Sequence, residues 1–173
     1  DAAETVTVSL GGGTATWEPD TATLTLENVT VSESIVINTA GSASVTVTVC
    51  LKGKNEIDIT QYDDGTALLS NQDLVINAEG EAELNITAMR ENAWQIGIQS
   101  LKSVTINGGT ISINSEYRTI SGEASTNING GTLKLHNINA DCEAVYGNSA
   151  VNIAGGKVTV ESPNSVAVSS NGN

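Results

Sequence analysis

The sequence predicts an all-β protein, a right-handed single-stranded parallel β-helix (a β-solenoid) with an irregular N-terminal cap. Three observations lead there. The first is a repeated phrase: Ile106-Asn107-Gly108-Gly109-Thr110 returns as Ile128-Asn129-Gly130-Gly131-Thr132 and, loosened, as Ile153-Ala154-Gly155-Gly156-Lys157, at steps of 22 and 25 residues. Fainter copies at Ile76-Asn77-Ala78-Glu79-Gly80 and in the run Val45, Val47, Val49 carry the series towards the N-terminus. One structural unit stamped out at such a period is the mark of a solenoid. The second observation is composition. The 173 residues hold 17 Gly, only 2 Pro and no Phe, with β-branched and aliphatic residues dominant, which suits many short strands joined by tight turns.

The third observation is phase. A further aliphatic run precedes each anchor by seven or eight residues: Leu69 before Ile76, Ile98 before Ile106, Ile120 before Ile128 and Val145 before Ile153. Asn-Gly between alternating aliphatic runs is also the strongest short hairpin signal, so an antiparallel meander is the structural rival. A meander has no need of a fixed phase. Stacked parallel coils do, because each side chain packs on its counterpart one coil away.

Taken in order, Gly11 to Gly13, Trp17 and the Glu18-Pro19-Asp20 turn precede strands containing Leu24 with Leu26 and Ile35 with Ile37. Residues 1–44 are therefore assigned to a cap and first coil, covering an end that would otherwise expose unpaired backbone groups. Residues 45–173 form one continuous series of coils, about five to six in the whole chain. Each coil holds three strands. In one these are Val104 with Ile106, Ile111 with Ile113, and Ile120; in the next Ile128, Leu133 with Leu135, and Val145; in the last Val151 with Ile153, Val158 with Val160, and Val166 with Val168. Alternate residues then point into a triangular core. Asn77, Asn107 and Asn129 fall at one corner, where their amides can bond along the axis. The closing Ser169-Ser170-Asn171-Gly172-Asn173 resembles the opening of a further coil, so this end is expected to meet more chain, a partner, or a second copy end to end.

The net charge of −13, from 20 acidic and 7 basic residues, argues against nucleic acid and anionic membrane surfaces as partners. No run approaches the roughly 20 apolar residues of a membrane span. The chain opens at Asp1 and not at Met, which suggests a processed N-terminus and a secreted or cell-surface bacterial protein. Cys50 and Cys142 lie about three coils apart at roughly 4.8 Å per coil, beyond the ~7 Å that a disulfide spans, so two free thiols are expected. In an exported protein, free thiols fit a reducing setting.

The part of each coil that does not repeat carries the candidate chemistry. Glu116 and Asp141 lie one coil apart, Asp63 and Asp64 occupy the matching loop two coils earlier, and Glu91 and Glu143 are near. Stacked carboxylates repel unless a proton, a base or a cation intervenes. Asp63, Asp64, Glu116 and Asp141 are thus candidate calcium ligands, against the plainer reading of a solvated acidic edge. Trp94 and Tyr117 share that edge in successive coils, 23 residues apart, with Tyr62 and Tyr146 in neighbouring positions. Such rings can stack on pyranose faces while polar neighbours bond the hydroxyls. Catalytic constellations are poor. His136, the only histidine, reads as an outward strand residue, and adjacent acids such as Asp63 and Asp64 diverge instead of flanking one bond. Arg118, beside Glu116, is the candidate base for uronate elimination and Arg90 a second, although both more simply form surface ion pairs.

The stretches Tyr62-Asp63-Asp64-Gly65, Ser103 to Ile111 and Thr126 to Leu135 resemble the clostridial carbohydrate-binding β-helix family, over about residues 45–168. Members repeat an acidic pair, Gly, Ile, a strand and then the Ile-Asn-Gly-Gly-Thr phrase, and are similar in fold to pectate lyases. The resemblance implies calcium held by the acidic pairs and binding of plant-type polysaccharides. Here only Asp63-Asp64 keeps the pair; the equivalent loops read Glu91-Asn92-Ala93, Ser115-Glu116-Tyr117, Ala140-Asp141-Cys142 and Pro163-Asn164-Ser165. The stretch from Thr14 to Asn28 also resembles the start of large repeat-containing surface proteins of gut bacteria. The sequence therefore leads to a secreted or surface glycan-binding module without catalysis. A structural adhesin or spacer module is the first alternative, and a calcium-dependent polysaccharide lyase the second.

Overall fold

A computed structural model describes residues 4–40 and 44–172; Asp1 and Asn173, on which readings of the two termini touched, lie outside them. Alternating residues build three sheets. The first has eight strands: Val6–Leu10, Gly13–Glu18, Thr23–Glu27, Thr46–Lys52, Asp73–Ala78, Val104–Ile106, Ser125–Ile128 and Ala150–Ile153. The second has six, Thr30–Val31, Lys54–Asp58, Glu83–Ala88, Thr110–Ser115, Thr132–Asn137 and Lys157–Glu161. The third also has six: Ile35–Ile37, Asp64–Ser70, Trp94–Ser100, Ile120–Gly122, Val145–Gly147 and Val168–Ser170. The chain visits the sheets in turn and returns to the first one strand further along. Beyond the pairing of Gly13–Glu18 with Thr23–Glu27, every pairing among the described residues is parallel, so the protein is a β-solenoid of six coils.

Register explains why the anchors recur. Val49, Ile76, Ile106, Ile128 and Ile153 stand directly opposite one another down the first sheet. Ile57, Ile86, Ile113, Leu135 and Val160 do so down the second. Both columns point inward and merge in one core, where each fully buried Leu or Ile contributes about 1.5–3 kcal/mol. In the third sheet the inward column is Ile35, Leu68, Ile98, Ile120, Val145 and Val168. Here one residue of the sequence reading shifts: Leu68, not Leu69, is in phase, and Leu69 pairs with the outward Gln99. With Leu68 in place, every third-strand residue from Leu68 to Val145 precedes its anchor by eight.

The segment expected to be an irregular cap is an ordered antiparallel meander. Val6–Leu10 pairs with Gly13–Glu18, which pairs with Thr23–Glu27. Gly11 and Gly12, at φ of 57° and 94°, form the two-residue hairpin turn in which both central residues need positive φ. The antiparallel rival is realised only in these strands. At the opposite end the last coil leaves Ile153, Val166 and Val168 exposed.

At the predicted corner the Asn107 amide donates to Asn77 Oδ1 and the Asn129 amide to Asn107 Oδ1, both at 2.9 Å. A second ladder, Asn152 to Asn127 at 2.8 Å, runs beside it. Cys50 and Cys142 are both free thiols, as the coil spacing requires. No helix of the described residues is long and apolar enough to cross a membrane.

Candidate functional site

The loops between the second and third strands line one edge of the solenoid, and the parallel register decides what meets there. Trp94 opens the third strand of its coil opposite Asp64, whose Oδ1 accepts the Trp94 N–H at 2.8 Å. Tyr117, one coil on, is fixed by its own N–H donating to Gln95 O at 2.9 Å and by the Asn137 amide donating to Tyr117 O at 3.1 Å. The two rings stack, with centroids 4.8 Å apart and planes 27° apart. That spacing is the coil rise itself. Trp94 remains 65% exposed, so the pair offers open aromatic surface on a rigid mount.

Beside the pair lies a depression of about 330 Å³ lined by Asn92, Ala93, Trp94, Glu116, Tyr117, Asn139 and Asp141. Glu116 lies in its wall. Only 7% exposed, it is held by its N–H donating to Ala88 O at 2.8 Å and by its carbonyl accepting from Asn139 N–H at 3.1 Å. Its Oε2 is buried without a hydrogen-bond partner, an arrangement that costs free energy unless something else compensates it. Asn92 turns its loop at a φ of 62°, a left-handed conformation that Asn adopts more readily than most residues. Asp141 is steered by its N–H donating to Asn139 Oδ1 at 2.8 Å.

The other residues singled out in the sequence take different places. Tyr146 is 8% exposed, under the Arg118 guanidinium, whose carbon lies 3.9 Å from the ring centre. Its hydroxyl donates to Asn148 Oδ1 at 3.0 Å and accepts from the Asn171 amide at 2.8 Å. Tyr62 is exposed on the same edge, and its carbonyl accepts from the Gln95 amide at 2.7 Å. Asp63 pairs with Arg90 at 2.8 Å, and Arg118 with Glu143 at 3.2 Å. Both arginines are thus the ion-pair residues of the plainer reading. His136 lies on the outward face of the second sheet, opposite Asn114 and Glu161 and away from this edge.

The four acids named for calcium do not converge. Asp63 and Asp64 are engaged by Arg90 and Trp94, while Glu116 and Asp141 alone share the depression. Calcium takes six to eight oxygens, and among the described residues no three His, Cys, Asp or Glu side chains group to hold a metal ion. Of the four acids, the depression brings together two, Glu116 and Asp141.

Residues the sequence did not flag complete the site. Gln95 and Asn137 are fully buried polar side chains that staple the edge. The Gln95 amide donates to Ile59 O and Tyr62 O, both at 2.7 Å, and the Asn137 amide reaches Cys142 O at 3.1 Å. Burial beneath this staple raises the Cys142 thiol to about 11, with Arg118 pulling the other way. Cys50 is also raised, by partial burial and then by Glu79.

A parallel solenoid of this kind belongs to the class of repeat scaffolds in which each coil packs only on its neighbours. Comparison with protein families matches residues 6–173 to the family described as carbohydrate-binding domain-containing protein, and the chain belongs to that family. No curated protein and no solved structure matches it.

Proposed function

We propose that this chain is a non-catalytic glycan-binding module and that the depression beside Trp94 is where it holds the sugar. The single observation carrying this reading is the exposed Trp94 ring, backed by Tyr117 and adjoining a hollow lined by carboxylates and amides. An aromatic face complements the C–H side of a pyranose, and Asn92, Glu116, Asn139 and Asp141 supply donors and acceptors for its hydroxyls. Ordering a sugar here needs little rearrangement, because strand register and buried amides already fix the rings. Family membership supports a carbohydrate partner. The engagement of Arg118 by Glu143 and Tyr146 supports a role without catalysis, since the candidate base is committed to the scaffold.

Trp94→Ala tests it. The side chain is largely exposed, so the variant is expected to keep the thermal midpoint of the parent while losing about tenfold or more in affinity for any glycan the parent selects from an array. An array on which the parent retains nothing, or on which Trp94→Ala retains the same glycans equally, overturns the proposal.

A further inference from the structure

We propose that Arg118 is a positioning residue of the binding edge: held by Tyr146 and Glu143 of the following coil, it fixes the Tyr117 ring that backs Trp94. This rests on the glycan-binding reading and adds a third coil to its site. The backbone of Tyr117 is tied by its N–H donating to Gln95 O and by its carbonyl accepting from the Asn137 amide. Neither bond restrains the ring, which can still turn about its side-chain torsions. Two contacts do. Trp94 stacks on it with centroids 4.8 Å apart, and the Arg118 guanidinium carbon lies 5.2 Å from its centre. A guanidinium within about 6 Å of a tyrosine ring is attracted by the negative face of the π system.

The guanidinium is itself held from the next coil. Its carbon stands 3.9 Å from the centre of the Tyr146 ring, and Nη2 pairs with Glu143 Oε2 at 3.2 Å. Tyr146 is a fixed support, buried and bonded through its hydroxyl to Asn148 and Asn171. The Arg118 and Glu143 side chains are only 19% and 25% exposed, so salt screens their pairing less than it would a surface pair. Arg118 Nε is buried without a hydrogen-bond partner among the described residues, which is unfavourable by itself. The contacts with the two rings and with Glu143 offset that loss and set where the guanidinium lies. Trp94, Tyr117, Arg118 and Tyr146 thus form one series across three successive coils, anchored at Tyr146 and open at Trp94. Arg118 acts on the exposed end through Tyr117, and its effect on a sugar held there is one of preorganisation.

Arg118→Met and Glu143→Gln test this, the first removing the charged plane and the second the ion pair while leaving the space filled. Near-ultraviolet circular dichroism of the free protein, taken as the difference between each chain and its Trp94→Phe counterpart, cancels Trp17 and reads the geometry of the Trp–Tyr pair without a ligand. That signal is expected to be lost in large part in Arg118→Met, to weaken in Glu143→Gln, and to stay at the parent level in Lys52→Met, which removes a charge and an ion pair from elsewhere on the solenoid. Affinity for a glycan that the parent selects from an array should fall about three- to tenfold in Arg118→Met. In a Tyr117→Leu background the same substitution should cost nothing further, because it acts through that ring. A parental dichroism signal in both Arg118→Met and Glu143→Gln, an equal loss in Lys52→Met, parental affinity in Arg118→Met, or additive losses with Tyr117→Leu overturns the inference while leaving glycan binding intact. If Arg118→Met does not fold, Glu143→Gln carries the same two readings. If no arrayed glycan binds the parent, the functional proposal fails, and the dichroism still decides whether Arg118 holds the ring.

Discussion

Single residues on this edge do two kinds of work, and burial separates them. Trp94 is held from behind and left open in front, so its replacement changes an exposed surface and not the packing of the fold. Cys142 is the opposite case, a thiol with almost no exposure whose ionisation the fold opposes. In the folded chain it titrates at about 11, against 9.0 when unperturbed. Between those values the unfolded chain has lost a proton that the folded chain keeps. The stabilisation is therefore complete below pH 9 and is lost as pH rises through 11. Cys142→Ala lacks that titration. Between pH 7.5 and 10.5 the parent is expected to lose about 2 kcal/mol more stability than the variant, read as the difference between their urea unfolding free energies at the two pH values. Equal losses would show that the thiolate is accommodated in the fold.

At the scale of elements, the second glycine of the repeated phrase carries the positive φ, while a Cβ at the first would also meet backbone in two copies, Asn107 O at 2.7 Å from Gly130 and Asn129 O at 2.5 Å from Gly155. Gly109, Gly131 and Gly156 all have positive φ, between 83° and 93°, and lie one above another where the chain turns from the first sheet into the second. A Cβ at Gly131 would meet the Gly109 carbonyl oxygen at 2.7 Å, whereas one at Gly108 would meet nothing within 4 Å. Gly131→Ala is expected to cost about 1–3 kcal/mol and Gly108→Ala well under 1, measured by denaturant midpoints. Comparable losses at both would mean the turn relaxes freely. The phrase was legible because its constraint is local and recurs in every coil. Leu68 and Leu69 were not separable, since two adjacent leucines satisfy the alternation equally and only pairing with Ile98 selects the first. The same limit governs the site. Trp94 and Tyr117 could be paired from their one-coil offset, but the burial of Glu116 depends on the longer loop of the next coil, where Asn139 and Asp141 fold across it. Gln95 and Asn137 gave no signal either. A polar residue in a strand reads as outward, and only the carbonyls that each one satisfies explain its place inside.

For the whole molecule, a solenoid is a sum of coils and of the contacts between neighbours, so position along the axis should count as much as chemistry. The anchor column offers a direct comparison. Ile106 and Ile153 occupy equivalent places in the first sheet, with Ile128 between them. Ile106 has coils on both sides and no exposure, while Ile153, in the last coil, is 49% exposed. Replacing Ile106 with Ala opens a cavity that neighbours on either side cannot fill, at an expected cost of about 2–5 kcal/mol. Replacing Ile153 removes side chain that is half in water and leaves no enclosed void, so the 173-residue chain should lose about 1 kcal/mol or less. Global unfolding of the two variants in guanidinium measures the contrast. If Ile153→Ala proves as costly as Ile106→Ala, the last coil is covered in solution, and its exposed end face of Ile153, Val166 and Val168 is then an interface between copies of the chain. A protein-concentration dependence of the midpoint, present in the parent and lost in Ile153→Ala, would identify that outcome.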